Sequence, residues 1–238
     1  MLWYKSWLET RSRFLISLLG MAGLCGLRVY YGDRDALPHT TLAYYYNVLY
    51  SAHVLLCFMW VMAVTLLAMG GLVREKAVGT APFTLALPVS RARLMAVRIA
   101  VVLGEAMALI VVPWAVMFLI GSITGKTRSP QQALFYMALL AGGGTVFLGT
   151  ALLTSSLVEG EYTAPVVTFS AVFGISVVLS GGSLHIYSPM EFIVGAEFVD
   201  RYTRLLTGSI PWLRIGISAL VGALLAGLAT KSVQSRDF

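Results

Sequence analysis

Six apolar stretches, at about 14–30, 47–72, 95–124, 132–157, 162–182 and 211–230, decide what this chain can fold into. A spanning α-helix needs roughly 20 such residues to cross about 30 Å of hydrocarbon. Lipid offers the backbone no water, so each stretch must satisfy its own N–H and C=O groups, as a helix does. Only 12% of the 238 residues are charged, against about 25% in a soluble domain, too few to cover a surface facing water. The expectation is an all-α integral membrane protein, one domain over 1–238 with six transmembrane helices. The first and last spans are the shortest between charges. Phe14–Leu27 gives 14 uncharged residues and Ile215–Thr230 gives 16, so Arg28 and Arg214 must snorkel to the interface.

The flanks set the orientation. In residues 1–13, MLWYKSWLETRSR, one helical face carries Trp3, Tyr4, Trp7 and Leu8 while Lys5, Glu9 and Arg11 take another. That pattern predicts an amphipathic helix lying in the interface, with Trp3 and Trp7 at headgroup depth. A cleaved signal peptide is not expected, because paired Trp residues precede the apolar run and Leu24 before Cys25 makes a poor lipoprotein site. With the N-terminus inside, the cytoplasmic segments hold nine Lys and Arg and the outer segments seven, with Arg98 at the inner boundary. This modest excess places both termini in the cytoplasm of a multi-pass cell-membrane protein. The net charge of +6 suits anionic headgroups. The basic residues are scattered between apolar runs, which argues against nucleic acid as a partner.

Several chemistries lack their residues. The stretch GSITGKT (121–127) has three residues between Gly121 and Gly125 where a phosphate loop needs four, and it follows a span instead of a strand. His39, His53 and His185 have no His-x-x-x-His spacing or adjacent carboxylate, so no metal site is expected. No nucleophile-elbow signature occurs. Cys25 and Cys57 lie in apolar runs and read as small buried hydrophobes. Two ionisable residues do fall inside spans. Glu105 is about ten residues into the third, roughly 15 Å deep, and His53 about six residues into the second from the opposite side, so the two can approach similar depth. Each reads either as a functional group lining a pathway or as a structural hydrogen bond to a neighbouring helix.

On the outer side, SPMEFIVGAEFVDRYTRLL (188–206) has Ser188 and Glu191 at capping-box spacing and Pro189 at the first helical position. It reads as an interfacial or re-entrant helix broken at Gly195, or as a plain surface helix. Small residues form stripes at four-residue spacing: Ser218, Gly222, Ala226 and Thr230, and again Ala141, Thr145 and Gly149. Such stripes let helices approach closely, within one chain or between copies.

Between the second and third spans the apolar pattern gives way to REKAVGTAPFTLALPVSRARL (74–94). Gly79-Thr80 supplies a turn and a cap, Pro82 is tolerated in a first turn, and APFTLAL makes about two helical turns with Phe83 and Leu87 on one face. Pro88 ends that helix and Ser90 caps the next. Arg91 and Arg93 then sit in a first turn, where the helix dipole disfavours positive charge by a few tenths of a kcal/mol. Headgroup anchoring or an acidic docking groove explains them.

Here the sequence resembles the permease subunits of ABC-type exporters of the second export class. Members carry Glu-x-x-x-Gly-Thr, then leucines, then Leu-Pro-Val-Ser-Arg and a basic residue entering the third span. This chain has Glu75, Gly79, Thr80, Leu85, Leu87, Pro88, Val89, Ser90, Arg91 and Leu94, with Arg98 at the basic position. Only 74–98 is specific; the amphipathic N-terminal helix, the six spans, the outer re-entrant segment and the tail Arg236-Asp237-Phe238 agree as architecture. The resemblance implies a permease dimer, with a second copy or a related permease, each half binding a separate ATPase subunit. The coupling helix at about 80–87 would seat in a cleft of that ATPase, with Glu75 and Arg91 flanking the contact. ATP and magnesium would belong to the partner, and this chain would carry no cofactor or catalytic residue.

Two other classes compete. A membrane-embedded enzyme or maturation factor would use Glu105 and His53, and would need them to converge. An immunity or scaffold protein would use the same coupling helix.

Overall fold

The computed structural model describes residues 2–34, 42–69, 75, 79, 89–124, 130–158, 163–179, 188–200 and 206–235. The elements are α1 (Leu2–Arg34), α2 (Leu42–Ala68), α3 (Arg91–Ile123), α4 (Pro130–Gly143), α5 (Thr145–Leu157), α6 (Thr163–Leu179), α7 (Pro189–Val194), a 3-10 turn (Ala196–Phe198) and α8 (Trp212–Ser235). Among the described residues the fold is all-helical, and five helices are long and apolar enough to cross a membrane: Leu2–Gly32, Asn47–Ala68, Arg91–Ile123, Pro130–Leu157 and Trp212–Ser235. The fifth predicted span gives Thr163–Leu179, an apolar helix of 17 residues, about 26 Å long at 1.5 Å per residue. The protein is a multi-pass, all-α membrane protein.

Two boundaries differ from the sequence reading. The N-terminal amphipathic segment is not a separate helix: α1 runs unbroken through 33 residues, about 50 Å. No Gly or Pro interrupts 2–19, and one face of the first turns packs against protein. Ser6, Thr10 and Phe14 are buried while Trp3 and Tyr4 are exposed, and Trp7 packs edge-on against Phe14 at 5.5 Å. The predicted span 132–157 is two helices joined at Gly144. Its N–H donates to Leu140 O at 2.9 Å, and its carbonyl accepts from Phe147 (3.0 Å) and Leu148 (3.2 Å), so the break is one residue wide. Space selects glycine here: a Cβ would stand 2.5 Å from the Trp60 ring and 2.3 Å from Leu140 O. Trp60 fills that notch and donates from Nε1 to Ala106 O at 2.9 Å.

The small-residue stripes meet inside one chain. A Cβ on Gly149 would lie 2.6 Å from Gly222 O, and one on Gly222 would lie 2.5 Å from Thr145 O. Thr145 Oγ1 donates to Ser218 O at 3.0 Å, bonding α5 to α8 where their backbones touch. The rest of α8 is largely exposed, with Leu213, Ile217, Leu220, Leu224 and Leu228 outward, as a lipid-facing surface requires.

The segment beginning at Ser188 breaks at Gly195, with φ +73, the left-handed C-cap that favours glycine. The chain then folds back, Val199 bridging Leu206 and Thr207 N donating to Phe198 O at 2.9 Å. The capping box does not form. Ser188 makes no side-chain cap, and its buried Oγ has no hydrogen-bond partner, because the site packs against the bundle instead of facing water. Ser90 does cap α3, accepting from Arg93 N at 3.3 Å, and Gly79 holds φ +77, the predicted turn. Thr80, Phe83, Leu87, Pro88, the loop at 125–129, His39, His185 and Arg236–Phe238 lie outside the described residues.

Candidate functional site

Where α2 ends, its last carbonyls have no helical partners. Two arginines from the neighbouring helices take them. Arg13 Nη1 of α1 donates to Leu66 O and Met69 O, each at 3.2 Å, and Arg98 Nη2 of α3 donates to Ala68 O at 3.2 Å. Cations also complement the negative end of the helix dipole. Arg98 is buried and reaches Glu9 at 3.8 Å. One turn earlier, Lys5 donates to Glu75 Oε1 at 2.8 Å and lies 3.8 Å from Glu9. Lys5, Glu9 and Arg13 follow each other at four-residue steps, one stripe along α1.

Lys5, Glu9, Glu75 and Arg98 of this collar line a half-open pocket of about 60 Å³, to which Arg91, Leu94 and Val233 also contribute. It joins α1, the N-terminal turns of α3 and Glu75, and so ties α1 to both ends of the connection between α2 and α3. Of the predicted contact residues, the structure therefore brings Glu75 and Arg91 together with the N-terminal helix. From sequence Lys5 and Glu9 read as the polar face of an interfacial helix, and Arg13 is assigned no contact. The signal existed in their four-residue spacing, but a polar stripe facing protein reads the same as one facing headgroups.

The Lys5–Glu75 pair is part-exposed and contributes at most about 1 kcal/mol to stability. The Arg98 bond is buried and charge-assisted, so its loss strands Ala68 O. Arg98→Ala is expected to destabilise the protein by about 2 kcal/mol, read as a lowered unfolding temperature in detergent. Arg98→Lys should recover only part, because lysine lacks the planar fork.

Glu105 lies two turns beyond Arg98 along α3. Its Oε1 lies 2.5 Å from Thr10 Oγ1, and its Oε2 is buried without a hydrogen-bond partner. His53 is elsewhere. Its Nε2 donates to Ile193 O at 3.0 Å, and Cys57 Sγ reaches the same oxygen at 3.5 Å. The imidazole stacks on Tyr136 at 4.3 Å, with Trp114 at 6.0 Å. His53 thus satisfies a carbonyl at the end of α7, where irregular backbone enters the bundle and must be bonded by protein.

Glu105 and His53 do not form the convergent polar cluster that the membrane-enzyme alternative requires. Trp60 on α2 bonds Ala106 on α3, whereas His53 lies seven residues from Trp60, about 10 Å along the helix. Antiparallel pairing of α2 with α3 carries the two groups apart. Cys25 and Cys57 are free and buried. Among the described residues no three His, Cys, Asp or Glu side chains are placed to hold a metal ion.

No protein-family model matches this chain, and no curated protein matches it.

Proposed function

We propose that this protein is the membrane subunit of an ATP-driven exporter, moved by a separate ATPase that binds the segment between α2 and α3. The observation that carries the reading is the collar. A segment that receives force must be fastened to the helices that are to move. Here Lys5–Glu75, Glu9–Arg98 and the two arginine caps fasten both ends of that connection to α1 and α3. The motif Glu75, Gly79, Ser90 and Arg91 stands in the same connection, with Gly79 making its left-handed turn and Ser90 its cap.

In this reading the collar end faces the cytoplasm, the described helices with α6 form six spans, and two permease copies enclose the pathway. ATP and magnesium reside on the partner. The membrane-enzyme reading is disfavoured by the separation of Glu105 from His53. A mild-detergent pull-down of the tagged protein from its own host tests the proposal. A stoichiometric co-purifying ATPase with measurable ATP hydrolysis is expected; a clean preparation without one overturns it.

A further inference from the structure

Thr10 of α1 and Glu105 of α3 meet inside the protein. They are 2% and 4% exposed, and Thr10 Oγ1 lies 2.5 Å from Glu105 Oε1. The hydrogen between these oxygens is assigned by what else surrounds them. Thr10 Oγ1 also lies 3.2 Å from Ser6 O and 3.3 Å from Trp7 O. A hydroxyl has one hydrogen and two acceptor lone pairs, whereas a backbone carbonyl only accepts. Threonine within a helix commonly turns its hydrogen back to a carbonyl three or four residues earlier, as Thr65, Thr150 and Thr154 do here. With the Thr10 hydrogen given to Ser6 O or Trp7 O, the hydrogen shared with Oε1 comes from Glu105.

The second carboxyl oxygen gives the same answer independently. Oε2 is buried and has no hydrogen-bond partner. An ionised carboxylate carries its charge on both oxygens, and a buried charge without a partner is far more costly than a neutral carbonyl oxygen without one. The nearby cations are engaged elsewhere. Arg98, two turns earlier on α3, reaches Glu9 and Ala68 O. On α1, Arg13 holds Leu66 O and Met69 O, and Lys5 holds Glu75. The described parts of α2 and α4 contain no Asp, Glu, Lys or Arg, His53 of α2 lies on Ile193 O, and Lys231 of α8 is exposed.

We propose that Glu105 is a proton-binding site and that the α1–α3 seam closes only while it is loaded. In the closed seam the proton sits on Oε1 and is donated to Thr10. When α1 moves off α3 and water enters, the Oε1–H bond breaks, its electron pair stays on the carboxylate and the proton passes to water. The anion then opposes reclosure, because the seam offers it one hydroxyl and no cation at bonding distance. Binding of a proton thus latches α1 to α3, and opening of the seam releases it.

Infrared spectroscopy of the full-length protein in dodecyl maltoside, which has no ester carbonyl, tests the protonation. The wild type is expected to show the C=O stretch of a neutral carboxylic acid, and Glu105→Gln should lack it. A wild type without that band, or a band undiminished in Glu105→Gln, overturns the proposal. Should Glu105→Gln fail to fold, isotopic labelling of the glutamate carboxyls decides, and a band that does not move with the label overturns it as well. Thermal unfolding against pH tests the latch. While the folded state holds a proton that the unfolded chain has lost, the folded-to-unfolded ratio falls about tenfold per pH unit above the ordinary glutamate value of about 4.3. The unfolding temperature of the wild type should therefore fall with rising pH relative to that of Glu105→Gln, whose amide donates to Thr10 at every pH. Parallel profiles for the two proteins overturn the latch. Both measurements are read without any ATPase, so their outcome is independent of the exporter reading.

Discussion

Gly222→Val should unfold at a markedly lower temperature than the wild type, by about 3 kcal/mol of lost stability. The Cβ of any side chain at this position would meet Thr145 O at 2.5 Å and Thr145 Cβ at 2.8 Å. A flexible side chain can swing away from such a clash; a backbone carbonyl inside a packed helix cannot. Relief therefore requires α8 to separate from α5, which strains the Thr145–Ser218 bond as well. Gly227 on the same helix provides the control, because nothing lies within 4 Å of its Cβ direction. Gly227→Ala should be neutral or stabilise by up to about 1 kcal/mol through helix propensity. Thermal unfolding monitored by size-exclusion chromatography separates the two cases. If both substitutions proved equally mild, the α5–α8 contact would not be close-packed in the membrane.

The second large effect concerns partner binding. Leu87→Asp should remove the ATPase from the pull-down while leaving membrane insertion unchanged. Apolar anchors at interface centres typically cost more than about 2 kcal/mol when lost, upwards of thirtyfold in affinity. A buried unpaired carboxylate adds its desolvation to that loss. Phe83→Asp should act alike, since both residues share one face of the predicted helix. Normal co-purification of the ATPase with both variants would remove residues 80–87 from the interface and leave the collar without the force it is proposed to receive.

The elements that sequence made legible are those decided within a few residues. Hydropathy marks the five long apolar helices, Ser90 caps its own third neighbour, and Gly195 breaks its helix through a single left-handed residue. What escaped depends on which helix lies beside which. Thr10 is unremarkable until α1 runs alongside α3 and places it on Glu105. Ser188 has the spacing of a cap, yet packing buries its hydroxyl without a partner. The stripes at Thr145, Gly149 and Gly222 announced a close contact, but only the fold showed that they meet each other. Depth along a span likewise misled for His53 and Glu105, because register between α2 and α3 comes from side-chain interlocking around Trp60, not from hydropathy.

Because α1 is one continuous rod of about 50 Å whose first turns carry the collar, rotation at one end is inherited by the other. Pivoted near Leu2, a tilt of roughly 10° sweeps the tip at Arg34 through about 9 Å, given 1.5 Å of rise per residue. In the proposed exporter the helix would act as a lever whose gain is set by its length, turning a small displacement beside Glu75 into a wide one across the bilayer.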